Sequence, residues 1–210
     1  VTGVQTCALP IYPDQAAIEA KGWWIGKAQS PLAKLMEKVV AKAQTWFTES
    51  WEKERLNDGG VTSASNESSV ILYGDFGEGR KVLLTGDAGI RALSMASYYA
   101  EQYKLKLKDF TFVQIPHHGS RRNVGPTILN VLLGPIQSQE SPIRFSAFVS
   151  APKDDDTHPR MMVLNAFTRR GARVIATQGT SKIHWGGFPA RPGYTTADTI
   201  PFTPRVEDYD

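Results

Sequence analysis

Two short apolar runs, each ending abruptly in residues that can bind a metal ion, constrain this chain more than any other feature. Residues 82–87 read VLLTGD and end at Asp87, and residues 113–120 read VQIPHHGS and carry His117 and His118 directly after a proline. A buried β-strand that delivers ligands from its end has this pattern. The sequence therefore predicts part of a metal site, built at the ends of two strands.

Composition limits what such a site can be made of. The 210 residues are 41% hydrophobic and carry a net charge of +3, so a buried core is possible, and composition alone calls for neither a nucleic-acid nor a membrane partner. Cys7 is the single cysteine, which leaves His, Asp and Glu as metal ligands. No apolar run approaches the roughly 18 to 20 residues of a membrane span, so we expect no membrane segment in this chain.

The first residues do not look like part of a fold. Residues 1–12, VTGVQTCALPIY, do not begin with Met and show neither helical nor strand periodicity. They resemble a translated sequencing adapter, which would make them artefactual and the natural protein longer. The alternative is an ordinary flexible terminus.

Residues 13–60 are expected to form a helical segment, inserted before the main domain. Ser30 can cap a helix that Pro31 begins, and the helix is predicted to run to residue 56, before the sequence NDGG. The apolar residues that recur at every third and fourth position are Leu32, Leu35, Met36, Val39, Val40, Ala43, Trp46 and Phe47. Such a stripe favours core packing over binding to a membrane surface.

The rest of the chain alternates strands with helices. The predicted elements are a β-hairpin over residues 70–84, helices over 88–104, 126–133 and 160–170, and strands over 110–115, 145–150, 174–177 and 182–185. Residues 189–210 are expected to be an irregular tail. This alternation indicates layered α/β packing, and the hairpin indicates a mixed sheet.

The histidines and Asp87 each allow a structural interpretation. A single His after a strand is more often structural than a ligand, but two adjacent histidines followed by Gly-Ser point to function. Asp87 could simply cap the next helix, although its place after four apolar residues favours a buried carboxylate that needs a metal or a partner. His184, in the sequence HWG, is assigned to sheet packing.

The motif LLTGDA at residues 83–88, followed by a strand ending in PHHGS at residues 116–120, resembles the second half of the metallo-β-lactamase fold. The likeness is greatest to the branch of ComEC/Rec2 competence proteins and related phosphodiesterases. Residues 65–70, SNESSV, resemble the Asn-x-x-Ser before the aspartate in that branch, and residues 154–159 resemble its His-Pro loop. The resemblance implies the C-terminal half of a four-layered αββα sandwich with a mixed sheet, over residues 61–188.

The resemblance also implies roles for individual residues. Asp87 would bridge two metal ions, and the catalytic residues would be Asp87, His118 and His158. His117 would be a terminal metal ligand, and His118 would lie behind it or face the substrate, although which of the two binds the metal stays open. His158 would face the scissile phosphate as a proton donor or hydrogen-bond donor.

The implied cofactor is a pair of divalent ions, zinc in the first place and manganese as the second choice. The implied substrate is a phosphate ester, nucleic acid included, with Ser120 and Asn123 as possible phosphate contacts. However, the His-x-His-x-Asp-His run of this fold is absent, and no histidine precedes His117. Asp87 and one His cannot supply the three or four protein ligands of a catalytic zinc. We therefore expect a fragment of a dinuclear phosphodiesterase or nuclease, inactive alone, whose other ligands lie in a missing N-terminal half.

A hypothesis of a different class is a non-catalytic α/β binding or interaction module whose histidines are structural. The two hypotheses differ in metal content, since the enzyme would hold two ions per chain and the module none. A cytoplasmic location is expected for either.

Overall fold

The computed structural model describes residues 4–7, 46–189 and 192–208. The strands are β1 (Val4–Cys7), β2 (Trp46–Thr48), β3 (Ile71–Asp75), β4 (Lys81–Leu84), β5 (Phe112–Ile115), β6 (Phe145–Val149), β7 (Ala172–Ala176) and β8 (Arg205–Glu207). The helices are α1 (Ala64–Glu67), α2 (Ile90–Gln102), α3 (Pro126–Leu133) and α4 (Met161–Arg169). None of these helices is long and apolar enough to cross a membrane.

Six strands form one mixed sheet in the order β1-β3-β4-β5-β6-β7, and five of them lie between Ile71 and Ala176. β1, β3 and β4 are antiparallel neighbours, whereas β4 to β7 run parallel to one another. β2 and β8 form a separate antiparallel pair. The predicted α/β class, the mixed sheet and the hairpin over residues 70–84 are confirmed.

One face of the sheet packs against α2, α3 and α4. Because side chains alternate between the two faces of a strand, every second residue points into the core that the strands share with these helices. The strand residues of this core include Ile71, Tyr73, Leu83, Val113, Ile115, Ala147, Val149 and Val174. On the opposite face the rings of Phe112 and Phe148 lie 4.9 Å apart, and His184 packs on Phe112 at 5.2 Å.

Three helices begin without a capping side chain from the residue before them, and a carboxylate from a distant segment takes its place. The pairs are Glu67 with the Ala92 amide of α2 at 2.7 Å, Asp58 with the Thr127 amide of α3 at 3.0 Å, and Glu207 with the Met161 amide of α4 at 2.8 Å. A carboxylate there satisfies otherwise unpaired N–H groups and meets the positive end of the helix dipole. The starts of α2, α3 and α4 are therefore fixed by the tertiary structure, whereas α1 is capped locally by Ser63.

The helix predicted over residues 30–56 is wrong at its carboxyl end. Residues 30–45 lie outside the described residues, but Trp46–Thr48 is strand β2, and residues 49–56 contain no helix. Glu49 is buried, and its carboxylate accepts hydrogen bonds from the Arg55 amide and the Asn165 side chain, both at 2.6 Å. Tertiary contacts of this kind override a helical pattern in the sequence.

Other predictions need smaller corrections. Residues 182–185 form no strand, so the predicted second closing strand is wrong, although His184 does pack on the sheet. The tail differs from the irregular segment expected, because Arg205–Glu207 forms β8 and Val206 is fully buried. At the other end, Val4–Cys7 pairs with β3 as β1, and the origin of residues 1–12 stays a prediction.

Candidate functional site

The candidate site lies where the parallel strands β4 and β5 end side by side. Their main-chain pairing stops one residue before Gln114. The Gln114 side chain then continues it, since Oε1 accepts from the amides of Thr85 and Gly86 at 3.1 and 3.2 Å, and the Thr85 hydroxyl donates to the Gln114 carbonyl at 3.0 Å. Ligands of open α/β sheets bind in the crevice outside such strand ends. Gln114 thus holds the turn that carries Asp87 at the mouth of the crevice.

The backbone of Asp87 is anchored from two sides. Its amide donates to Ser69 Oγ at 3.1 Å, and its carbonyl accepts from Asn123 Nδ2 at 2.7 Å. The side chain is 49% exposed, so the expectation of a buried carboxylate is wrong. It does not cap α2 either, because Glu67 occupies that position. Asp87 is therefore anchored through its main chain while its carboxylate stays half exposed.

His117, His118 and Gly119 form a tight turn with φ values of +43°, +55° and +79°. A left-handed conformation at a non-glycine residue costs about 1–3 kcal/mol and persists only where the surrounding structure holds it, often at functional sites. A Cβ on Gly119 would lie 2.8 Å from the Cβ of Pro159, and the Arg160 amide donates to the Gly119 carbonyl at 3.2 Å. Gly119 therefore lets the His117-His118 turn pack directly against the segment that follows His158.

Three imidazoles converge at this point. The ring centroids of His117, His118 and His158 lie 5.6 to 6.5 Å apart. His117 Nδ1 is buried, makes no hydrogen bond with the described residues, and lies 3.6 Å from Asp87 Oδ1. His118 Nδ1, in contrast, bonds the carbonyl of Ser150. Of the two adjacent histidines, His117 has the uncommitted nitrogen beside Asp87.

His158 contacts Asp155, an aspartate that the sequence alone did not single out. Its Nδ1 lies 3.2 Å from Asp155 Oδ2 and 2.8 Å from Thr157 Oγ1. Burial lowers the pKa of His158, against the opposing effect of Asp155. Burial raises the pKa of Asp155, but hydrogen bonds from Thr157 and His158 outweigh it and lower that pKa to about 2. At neutral pH the pair is an ionised carboxylate and a neutral imidazole. The one sequence signal of this pair is the spacing Asp-x-x-His.

A cavity of about 450 Å³ opens beside these groups, with His117 and His158 in its wall. The charged side chains that line it within the described residues are all basic, namely Arg121, Arg122 and Arg160. Surroundings of one sign in a partly enclosed space attract the opposite charge. The cavity therefore favours an anionic ligand.

Ser120 and Asn123 also line this cavity, but they offer opposite hydrogen-bonding groups. Ser120 Oγ accepts from the Arg122 amide at 3.2 Å, which leaves its O–H free to donate. Asn123 is fully buried, and its side-chain amide donates to the carbonyls of Asp87 and Ala88. Its Oδ1 has no hydrogen-bond partner among the described residues. Ser120 can donate to a phosphate oxygen, whereas Asn123 presents only an acceptor and acts mainly on the turn of Asp87.

The residues present fit only part of a metal site. The orphaned Nδ1 of His117 and the carboxylate of Asp87 are a suitable nitrogen and oxygen donor. Within the described part of the chain, however, no three His, Cys, Asp or Glu side chains are grouped so that they could hold a metal ion. A catalytic zinc needs three or four protein ligands, so these two do not complete a site.

No protein-family model, curated protein or solved structure matches this chain. Its function therefore has to follow from the geometry of the site.

Proposed function

We propose that this chain is part of a metal-dependent hydrolase, a dinuclear-metal phosphodiesterase or nuclease. One observation carries the proposal. Asp87 and His117 stand 3.6 Å apart at the ends of adjacent parallel strands, beside a basic cavity. Polar groups that converge without internal partners, at the place where α/β sheets bind ligands, are typical of an active site.

The finer assignment is to the metallo-β-lactamase fold, in its ComEC/Rec2-like branch, with this chain as the C-terminal half of the αββα sandwich. Two features support it. Helices cover one face of the sheet, while the other face carries apolar side chains such as Phe112 and Phe148, and Leu84 is 36% exposed. The LLTGDA and PHHGS motifs also lie on neighbouring strands, as that fold requires.

Zinc, or manganese in its place, would be held by Asp87 and His117 together with ligands from outside this chain. Bound there, divalent ions would supply Lewis-acid chemistry towards water and a phosphate ester. This chain's own residues then bind and orient the substrate. The guanidinium groups of Arg122 and Arg160 attract a phosphodiester, and the Ser120 hydroxyl donates to a phosphate oxygen. His158 takes up a proton from solvent and gives it to the leaving oxygen.

The test uses the gene product with its upstream segment restored, and bis-p-nitrophenyl phosphate as the substrate. Hydrolysis should require Zn²⁺ or Mn²⁺ and should be abolished by Asp87→Ala, whereas Asp109→Ala, at an exposed carboxylate elsewhere, should leave it unchanged. Activity retained by Asp87→Ala would refute the assignment. The 210-residue chain alone should show no turnover, and measurable turnover would mean that the ligands are misplaced.

The alternative is a non-catalytic α/β binding or interaction module. The bonds of His118 to the Ser150 carbonyl and of His158 to Asp155 favour it, because structural histidines make such bonds. Metal content separates the two proposals, because the purified gene product with its upstream segment should hold two ions per chain if it is the enzyme, and none if it is the module.

A further inference from the structure

We propose that Asp155 is a positioning residue that fixes the proton of His158 on Nδ1 and presents Nε2 to the substrate cavity. The inference rests on the proposed hydrolase function for its catalytic meaning. The tautomer itself follows from hydrogen-bonding geometry alone.

The carboxylate of Asp155 accepts every hydrogen bond it makes within the described residues. Its Oδ1 receives the amides of Thr157 and His158 at 2.8 and 3.0 Å and the Thr157 hydroxyl at 2.6 Å. Amides are donors only, and an ionised carboxylate is an acceptor only. The Thr157 hydroxyl has therefore given its one hydrogen to Asp155.

These hydrogen bonds determine which nitrogen of the His158 imidazole carries the hydrogen. Thr157 Oγ1, 2.8 Å from His158 Nδ1, can only accept there, and Asp155 Oδ2 at 3.2 Å is also an acceptor. With two acceptors beside it, Nδ1 must carry the ring hydrogen, and in the neutral imidazole Nε2 then holds the lone pair. No described residue bonds Nε2, and His158 lines the cavity, so Nε2 is the nitrogen that a ligand there would meet.

Such a nitrogen can move a proton during hydrolysis. Nε2 first takes up a proton from solvent, and ionised Asp155 stabilises the imidazolium that forms. As water oxygen forms the new bond to phosphorus and the bond to the leaving oxygen breaks, the Nε2 proton passes to that leaving oxygen. The attacking water loses its own proton to solvent, which keeps the step balanced.

The sequence provides matched controls, because Asp155 is the middle of three consecutive aspartates. Asp154 and Asp156 are exposed and make no hydrogen bond or ion pair with the described residues. All three share charge and loop, so substitutions at the neighbours reproduce the change in charge without touching His158.

The first test is long-range ¹H–¹⁵N NMR of the imidazoles in the 210-residue chain, above the titration range of histidine. His158 should be in the Nδ1–H form, Asp155→Ala should shift it towards the Nε2–H form, and Asp154→Ala and Asp156→Ala should not. A wild-type Nε2–H tautomer, or no change in Asp155→Ala, overturns the proposal. This measurement needs neither metal nor turnover, so it still decides if the hydrolase assignment fails.

The second test measures hydrolysis by the gene product with its upstream segment. Asp155→Ala should lower kcat by about 10- to 100-fold with little change in KM, and Asp155→Asn, which keeps an acceptor for the loop amides, should lose less. In a His158→Ala background, Asp155→Ala should have no further effect. An equal loss in both backgrounds would show that Asp155 only supports the loop, and would overturn the proposal. Absence of all hydrolysis contradicts the proposed function, while the tautomer result stands separately.

Discussion

Two regions of this molecule contain charged and polar groups that are unfavourable to bury, and the two regions differ in how far the chain pairs those groups. The first is the buried ion cluster, which consists of Glu49, Glu54, Arg169 and Arg170. Glu49 and Arg169 have fully buried side chains 3.3 Å apart, and Arg170 bonds both carboxylate oxygens of Glu54, at 2.8 and 3.0 Å. Burying a charge is unfavourable unless it is paired, and here the chain supplies the counter-charges itself, although Nη1 of Arg169 makes no hydrogen bond with the described residues.

The second region is the histidine mouth, formed by Asp87, His117, His118 and His158. Its carboxylate is half exposed, and the Nδ1 of His117 is buried without a partner among the described residues. The contrast teaches that charge alone does not mark a functional site. Nor does a single unbonded polar atom, since Nη1 of Arg169 also makes no hydrogen bond with the described residues. The histidine mouth differs because its unbonded nitrogen lies 3.6 Å from a half-exposed carboxylate, beside a basic cavity.

The largest effect expected from this contrast lies in the buried ion cluster. Glu49→Ala should lower the free energy of unfolding by about 3–5 kcal/mol, because it leaves Arg169 buried without its counter-charge. Urea denaturation measures this, with Glu52→Ala at an exposed neighbour as the control. A loss below about 1 kcal/mol would mean that the cluster is not the compensated unit described above.

The second-largest loss of stability is expected from a substitution in the turn formed by His117, His118 and Gly119. Gly119→Ala should cost about 2–4 kcal/mol, from the left-handed φ and from contact with Pro159. Gly77 is the matched control, since its φ is +76° but nothing lies within 4 Å of an added Cβ, so Gly77→Ala should cost only about 1–2 kcal/mol. Equal losses would show that the packing between the two motifs contributes nothing.

A smaller, pH-dependent effect is expected at Asp155. Its folded pKa of about 2 lies below the ordinary value of 3.8, so its bonds stabilise the fold above about pH 4, and this contribution is lost as the pH falls towards 2. Denaturation of the wild type between about pH 5 and 3 should therefore show a steeper loss of stability than Asp155→Asn. Asp154→Asn should follow the wild type, and parallel curves for all three proteins would rule out the effect.

The smallest effect on stability is expected at Asp87, the residue on which the proposed function depends most. Asp87→Ala should change the free energy of unfolding by less than about 0.5 kcal/mol, because the side chain is half exposed and its anchoring contacts come from the main chain. Chemical denaturation tests this beside the Glu49 variant. A loss near 2 kcal/mol would mean that the Asp87 carboxylate stabilises the fold, as the charges of the buried ion cluster do.

What the sequence could predict was set by local patterns. The hairpin and the helices α2, α3 and α4 follow from apolar periodicity and from stops such as Gly171, which has a φ of +87°. The positions of Asp87 and His117 at strand ends follow in the same way. Strand β2 could not be found, since its partner β8 lies about 160 residues further along the chain. Nor could Asp155 be chosen from three identical neighbours, because only the fold brings one of them to His158.

The distant carboxylates at the helix starts have a consequence for the order in which the fold is completed during synthesis. Glu67 precedes its target in α2 by 25 residues, and Asp58 precedes its target in α3 by 69, so both carboxylates leave the ribosome before the helices they cap. The carboxylate for α4 comes from Glu207, 46 residues after the amide that it receives. Until β8 emerges and pairs with β2, the helix behind the His158 loop starts with unpaired amides. β8, the last strand of the described residues, thus secures the loop that carries the proposed proton donor.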